Sequence, residues 1–153
     1  MPQKKIEKLQ RLAQLDVDAI GTYDAAMKRI SYPVVLEKLG EFRADHVKHV
    51  ERLNGLLRNL GAEAVEVKPD LKGRVLKGFT AAQSMMGTEG ALVAMIGNEE
   101  LTTHTYHAAL KVDWTAEERA VIELHYADER RHLEWIKQAA IRREWAHEAA
   151  AHP

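Results

Sequence analysis

Thr105-Tyr106-His107-Ala108-Ala109-Leu110-Lys111 stands 83 residues after Thr22-Tyr23-Asp24-Ala25-Ala26-Met27-Lys28 and reads in register with it. The same offset, with no gap, lays Asp45-His46-Val47-Lys48-His49 on Asp128-Glu129-Arg130-Arg131-His132, and Asp16 on Glu99. Outward from these segments, residues about 9–57 correspond to about 92–140. Units that recur in this way cannot bury their apolar faces alone and bury them against each other. Two copies with metal-ligand side chains at matching places point to a site between them.

Each copy is a pair of helices. Leu9, Leu12, Asp16, Ile20, Tyr23 and Met27 recur at steps of three and four, one face of a first helix that ends near Ser31-Tyr32-Pro33. Val35, Leu39, Phe42, His46, His49, Leu53, Leu57 and Leu60 form the stripe of a second, which Gly61 stops. A third starts near Thr88 and carries Leu92, Ile96, Glu99, Thr103, Tyr106 and Leu110. Val112-Asp113-Trp114 is a turn, and Thr115-Ala116-Glu117-Glu118 fits a capping box. The last helix carries Ile122, His125, Glu129, His132 and Ile136 and runs toward Trp145. A loop near 62–70 and a short helix over Leu71–Met86 form the crossover, and a tail over 147–153 frays. No strand pattern is present. The expected fold is all-α, a four-helix bundle with a long crossover containing a short extra helix, in a single domain spanning 1–153.

Composition narrows the function classes. The 153 residues are 46% hydrophobic and 29% charged, with net charge −1. That balance gives no general attraction to nucleic acid or to an anionic membrane. Without cysteine there is no disulfide, thiolate chemistry or Cys-ligated iron. The longest apolar run, Ala91–Ile96, is too short to span a bilayer. The N-terminus has no apolar signal region, so the expected location is cytoplasmic.

Asp16, His46, His49, Glu99, Glu129 and His132 all fall on inward stripes. Residues three apart share a helix face, which pairs His46 with His49 and Glu129 with His132. Asp16 and Glu99 each precede a tyrosine by seven residues, two turns along the same stripe. Buried carboxylates cost several kcal/mol each, as an order of magnitude, unless paired or bound to a cation. Lys48, Arg130 and Arg131 lie off the stripes, so divalent ions are the economical partners. Mixed oxygen and imidazole donors suit iron or manganese, with zinc also accommodated.

These residues resemble the ferritin-like superfamily, which includes bacterioferritin, rubrerythrin and the carboxylate di-iron proteins. The shared pattern is a Glu on each of two helices and Glu-x-x-His on each of the other two. Glu129-Arg130-Arg131-His132 is one such motif, Glu99 is similar to a lone glutamate, and Asp16 takes the place of the other. His46-Val47-Lys48-His49 occupies the second motif with His for Glu. Over about 5–140 the chain looks like a bacterial ferritin-like family without an assigned role. The resemblance implies Asp16 and Glu99 as terminal ligands, Glu129 as a bridge, and His46, His49 and His132 capping one or two irons. It implies second-shell bonds from Tyr23 and Tyr106 to carboxylates across the bundle. His125, whose repeat partner is Phe42, is either an extra ligand or proton donor or a cavity-lining core histidine. Val47 stands at the haem methionine position of bacterioferritin, so no haem is implied.

The substitution at His46 changes the charge balance. Two divalent ions bring four positive charges against the three carboxylates Asp16, Glu99 and Glu129. Either an outer carboxylate (Glu100, Asp45 or Asp128) joins, or an anion binds, or one position is weak. The function that the resemblance implies is reaction of the metal centre with O2 or hydrogen peroxide, as a ferroxidase or peroxidase-like oxidoreductase, and a homodimer is expected. The alternatives are non-catalytic metal storage or sensing, and a metal-free stress-associated interaction bundle. In the last, Asp16 pairs with protonated His49 and Glu99 with protonated His132.

Overall fold

The computed structural model describes residues 2–67 and 87–143. They form four helices: α1 Pro2–Met27, α2 Pro33–Asn59, α3 Gly87–Ala109 and α4 Ala116–Arg142. Strands are absent among the described residues. The expected short helix at 71–86, Trp145 and the tail over 147–153 lie outside them.

The boundaries follow local chemistry. Tyr32 is extended, and Pro33 at the first position of α2 has no N–H to leave unpaired. At the other end Gly61 takes φ +76°, Gly61 N–H donates to Arg58 O and Ala62 N–H to Leu57 O. That double closure satisfies two end carbonyls and needs a residue tolerant of the left-handed region. Asn54 then clamps the departing chain, donating to Val65 O at 3.0 Å and accepting from Val65 N at 2.8 Å. The capping box at α4 is present in full: Glu118 N–H donates to Thr115 Oγ1, and Thr115 N–H to Glu118 Oε1. Thr115→Ala removes one of these bonds, and we expect a loss of about 1 kcal/mol in chemical denaturation.

Each hairpin packs within itself, α1 on α2 and α3 on α4, and the hairpins meet through α1–α3 and α2–α4. Tyr23, Leu39, Phe42, Leu92, Met95 and Ile136 belong to one apolar cluster. Leu9, Leu12, Leu53, Leu57, Tyr106 and Ile122 belong to another, which includes Trp114. Each fully buried large side chain contributes about 1.5–3 kcal/mol. Two such clusters offset a layer of polar groups that is costly to bury. That layer comprises Asp16, His46, His49, Glu99, Thr102, His125, Glu129 and His132.

Two readings of the stripes change. Thr103 was expected to face inward on α3; Thr102 does so, while Thr103 is half-buried. Met95 fills the core, and Ile96 is half-buried beside it. The α3 sequence is apolar on several faces, so its stripe is poorly marked. Trp114 is buried against its own chain, its Nε1–H donating to Ala109 O at 2.7 Å.

Candidate metal centre

The six ligand-type residues named from the repeat are all fully buried. They form two overlapping groups. Asp16, His46, His49 and Glu129 converge in one, and His46, Glu99, Glu129 and His132 in the other. Exchanging the two halves of the repeat turns the first group into the second. Asp16 replaces Glu99, His46 replaces Glu129, and His49 replaces His132.

In the first group Asp16 Oδ1 lies 2.6 Å from His46 Nδ1 and 3.0 Å from His49 Nδ1. Glu129 Oε1 lies 3.3 Å from His49 Nδ1 and 3.5 Å from His46 Nδ1. In the second group His46 Nε2 is 3.1 Å from Glu99 Oε1. His132 Nδ1 is 3.7 Å from Glu99 Oε2 and 3.9 Å from Glu129 Oε2.

A second ring of contacts orients these donors, again in exchanged pairs. His49 Nε2 meets Asp128 Oδ2 at 2.9 Å, and His132 Nε2 meets Asp45 Oδ2 at 2.8 Å. An imidazole whose outer N–H is held by a carboxylate presents its other nitrogen as a lone pair, the usual support for a metal ligand. Arg131 spans Asp45 and Asp128 at 2.8 and 3.2 Å from the half-exposed surface. Glu100 plays no part, lying at the surface 3.6 Å from Lys137. Across the bundle Tyr23 Oη donates to Glu99 Oε1, and Tyr106 Oη donates to Asp16 Oδ2 at 2.5 Å.

The halves also differ. Phe42 stacks on His132, with centroids 4.3 Å apart. Its counterpart His125 stacks on His49 at 3.8 Å. His125 Nδ1 is 3.1 Å from Tyr106 Oη, whose own proton goes to Asp16, so the ring donates from Nδ1. Thr102 Oγ1 lies 2.7 Å from Glu129 Oε2 and 3.1 Å from Glu99 Oε2, tying the two carboxylates together. Thr102 was missed in the stripe reading, although three residues after Glu99 is the same helix face.

Protons set the charge of the centre when no cation is present. Burial opposes charge on Asp16, but the charge of His49 and the bonds from both imidazoles hold its carboxyl below the usual range. Burial likewise opposes charge on His46, yet the charges of Glu129 and Glu99 and the Asp16 bond raise it well above the usual imidazole value. His49, despite burial, is pushed up to about 9 by the charge of Asp16 and the bond to Asp128. Burial raises the Glu129 carboxyl well above its usual value; the His46 charge opposes this and that of Glu99 adds to it. Burial and the His49 charge push His125 down to about 3, which keeps its ring neutral. Burial, with the nearby Glu99 and Asp16 charges, raises Tyr23 and Tyr106 and keeps both as donors.

The metal-free pairing is therefore half formed. Asp16 does pair with His49, but His132 turns its Nε2 to Asp45 and leaves Nδ1 at 3.7 Å from Glu99. Glu129 Oε1, His132 Nδ1 and His125 Nε2 are buried without a hydrogen-bond partner. Such atoms cost about 1–3 kcal/mol each. A cation in the first group would engage Glu129 Oε1 and one in the second His132 Nδ1, which satisfies two of them, so the donor set fits a metal.

Residues 4–112, more than half of the chain, match the family model described as Domain of unknown function (DUF2383). The matched span contains Asp16, His46, His49 and Glu99; Glu129 and His132 lie beyond it on α4. No curated protein matches the chain.

Proposed function

Because the chain belongs to the family described as Domain of unknown function (DUF2383), a description without chemistry, we propose a function from the site itself. The bundle binds a pair of divalent metal ions, iron in first place, in a ferritin-like carboxylate–histidine centre that reacts with O2 or hydrogen peroxide. The observation that supports this best is the pair of buried, unpartnered atoms His132 Nδ1 and Glu129 Oε1, with the far nitrogen of His132 held by Asp45.

Iron, when bound, supplies Lewis acidity and electrons for a small oxidant. The chain's own residues do the rest. Asp16, His49, Glu99, Glu129 and His132 hold the ions, and His46 adds a nitrogen from α2. Tyr23 and Tyr106 fix the rotamers of Glu99 and Asp16 through their hydroxyls. Asp45 and Asp128 fix the imidazole orientations. The apolar clusters exclude bulk water, and full burial of all six ligands restricts access to small molecules. His125 and Tyr106 place a hydrogen-bonded proton pair beside Asp16.

The test is anaerobic loading with ferrous iron, removal of excess, and elemental analysis, followed by oxygen or peroxide consumption. We expect more than one iron per chain and repeated turnover when reductant is supplied. Stoichiometric oxidation without turnover overturns catalysis in favour of storage or sensing. A folded chain that retains neither iron nor another divalent ion sinks the metal reading altogether.

A further inference from the structure

His46 is asked to serve two groups at once, and it cannot do so as Glu129 does. The carboxylate of Glu129 has two oxygens that diverge: Oε1 faces the nitrogens of His46 and His49, and Oε2 faces Thr102 and His132. His46 also divides itself, with Nδ1 toward Asp16 and Nε2 toward Glu99. A neutral imidazole, however, has one free lone pair. Only one group can receive a donor from it.

Spacing indicates which. A four-coordinate ion with bonds of about 2.1 Å holds its donors roughly 3.4 Å apart. Around Asp16, His46, His49 and Glu129 the donor separations run 2.6, 3.0, 3.3 and 3.5 Å, so these four are already gathered within about that span. Around Glu99, Glu129 and His132 the separations from His132 Nδ1 are 3.7 and 3.9 Å. That group is wider, and Thr102 already ties together the two oxygens facing His132.

Charge divides the same way. An ion in the tighter group meets Asp16 and Glu129 and is neutralised. The second ion meets only Glu99 as a new carboxylate, leaving one positive charge. Asp45 and Asp128 do not enter as ligands, because they sit on the outer nitrogens of His132 and His49. Together with Arg131 they carry net charge −1, but at a surface where solvent screens it.

Building on the metal reading above, we propose that the two positions are unequal by construction. The group of Asp16, His46, His49 and Glu129 takes the first ion with four protein donors. The group of Glu99, Glu129 and His132 takes a second ion more weakly and keeps a coordination place for a small monoanion from solution. The sequence change responsible is the single one that puts His46 where the other half has Glu129.

Cobalt(II) reads this directly, since four-coordinate cobalt absorbs far more strongly than six-coordinate cobalt. The full chain, stripped of metal, is titrated with cobalt(II) without air, and azide is then added as the monoanion probe. The first equivalent is expected to give the intense four-coordinate bands. Loss of an outer partner alone weakens metal binding about 10–100-fold, so the missing donor leaves the second equivalent at least ~10-fold weaker. Azide is expected to change only the spectrum of the two-ion form. His132→Gln is expected to lose the second equivalent and keep the first. His46→Glu, if folded by circular dichroism, is expected to bring the two affinities together and abolish the azide response. Two equal affinities in the parent chain, or azide acting on the one-ion form, or loss of the first equivalent in His132→Gln, overturns the proposal while leaving a metal site in place. No cobalt uptake at all is a failure of the metal reading instead.

Discussion

Glu129→Gln is expected to empty both metal positions while leaving the metal-free fold close to its original stability. Among the described residues Glu129 is the only carboxylate that belongs to both donor groups, through a different oxygen in each. An amide keeps the shape but loses the charge and the second oxygen, so affinity is expected to fall at least ~100-fold at each position, beyond the cost of an outer-shell loss. The metal-free protein feels little of this. Burial, with the Glu99 charge and against the His46 charge, already favours the uncharged form of the Glu129 carboxyl. The new side chain can still accept from Thr102, which now lies 2.7 Å from Oε2. A shift within about 1 kcal/mol is expected in denaturant titrations. Elemental analysis after loading gives the readout, with Glu100→Gln at the surface as the comparison. Iron retained by Glu129→Gln at the parent level removes the centre from this place in the fold.

Metal loading is expected to raise thermal stability, and to raise it more as pH increases. His49 sits at about 9 in the folded, metal-free chain, because Asp16 and Asp128 overcome the opposing effect of burial. Its unfolded value is near 6.5, so the proton is held more tightly in the native state. That stabilisation is complete below about pH 6.5 and disappears as pH rises through about 9. Asp16 acts oppositely: its lowered carboxyl stabilises above about pH 4, and the effect is lost in acid. The stripped chain is therefore most stable between roughly pH 4 and 6.5 as far as these groups are concerned. A metal must displace the protons of His46, His49 and Glu129, so its affinity runs the other way and increases with pH. At a free concentration of 1,000 times Kd the gain is about 4 kcal/mol, or roughly 10 °C for a chain of this size. Thermal scans with and without zinc at several values between pH 6 and 9 check this; parallel curves separated by a constant gap disprove it.

The helices and the six buried ligand-type residues were legible because two signals agreed. Heptad-like spacing placed the stripes, and the 83-residue repeat placed Asp16 against Glu99 and His49 against His132. Spacing along one helix says nothing of what faces it from another. That is why Asp45 and Asp128 entered only as undirected outer carboxylates, although each holds an imidazole of the opposite hairpin. Thr102 escaped because α3 is apolar on several sides and its inward stripe is indistinct, so Thr103 looked equally good. The stacking of His125 on His49 could have been anticipated from its register with Phe42, since the repeat sets both beside the equivalent imidazole.

Because the group of Asp16, His46, His49 and Glu129 draws on both hairpins, neither hairpin assembles the full donor cluster alone. Two identical hairpins associating as separate subunits would have to make every choice twice: an imidazole at one central position would mean an imidazole at both. Covalent linkage lifts that restriction. One half is free to carry His46 and the other Glu129, one Phe42 and the other His125. A gene for the linked form can change either inner wall of the site by a single codon, an option closed to a symmetric pair of subunits.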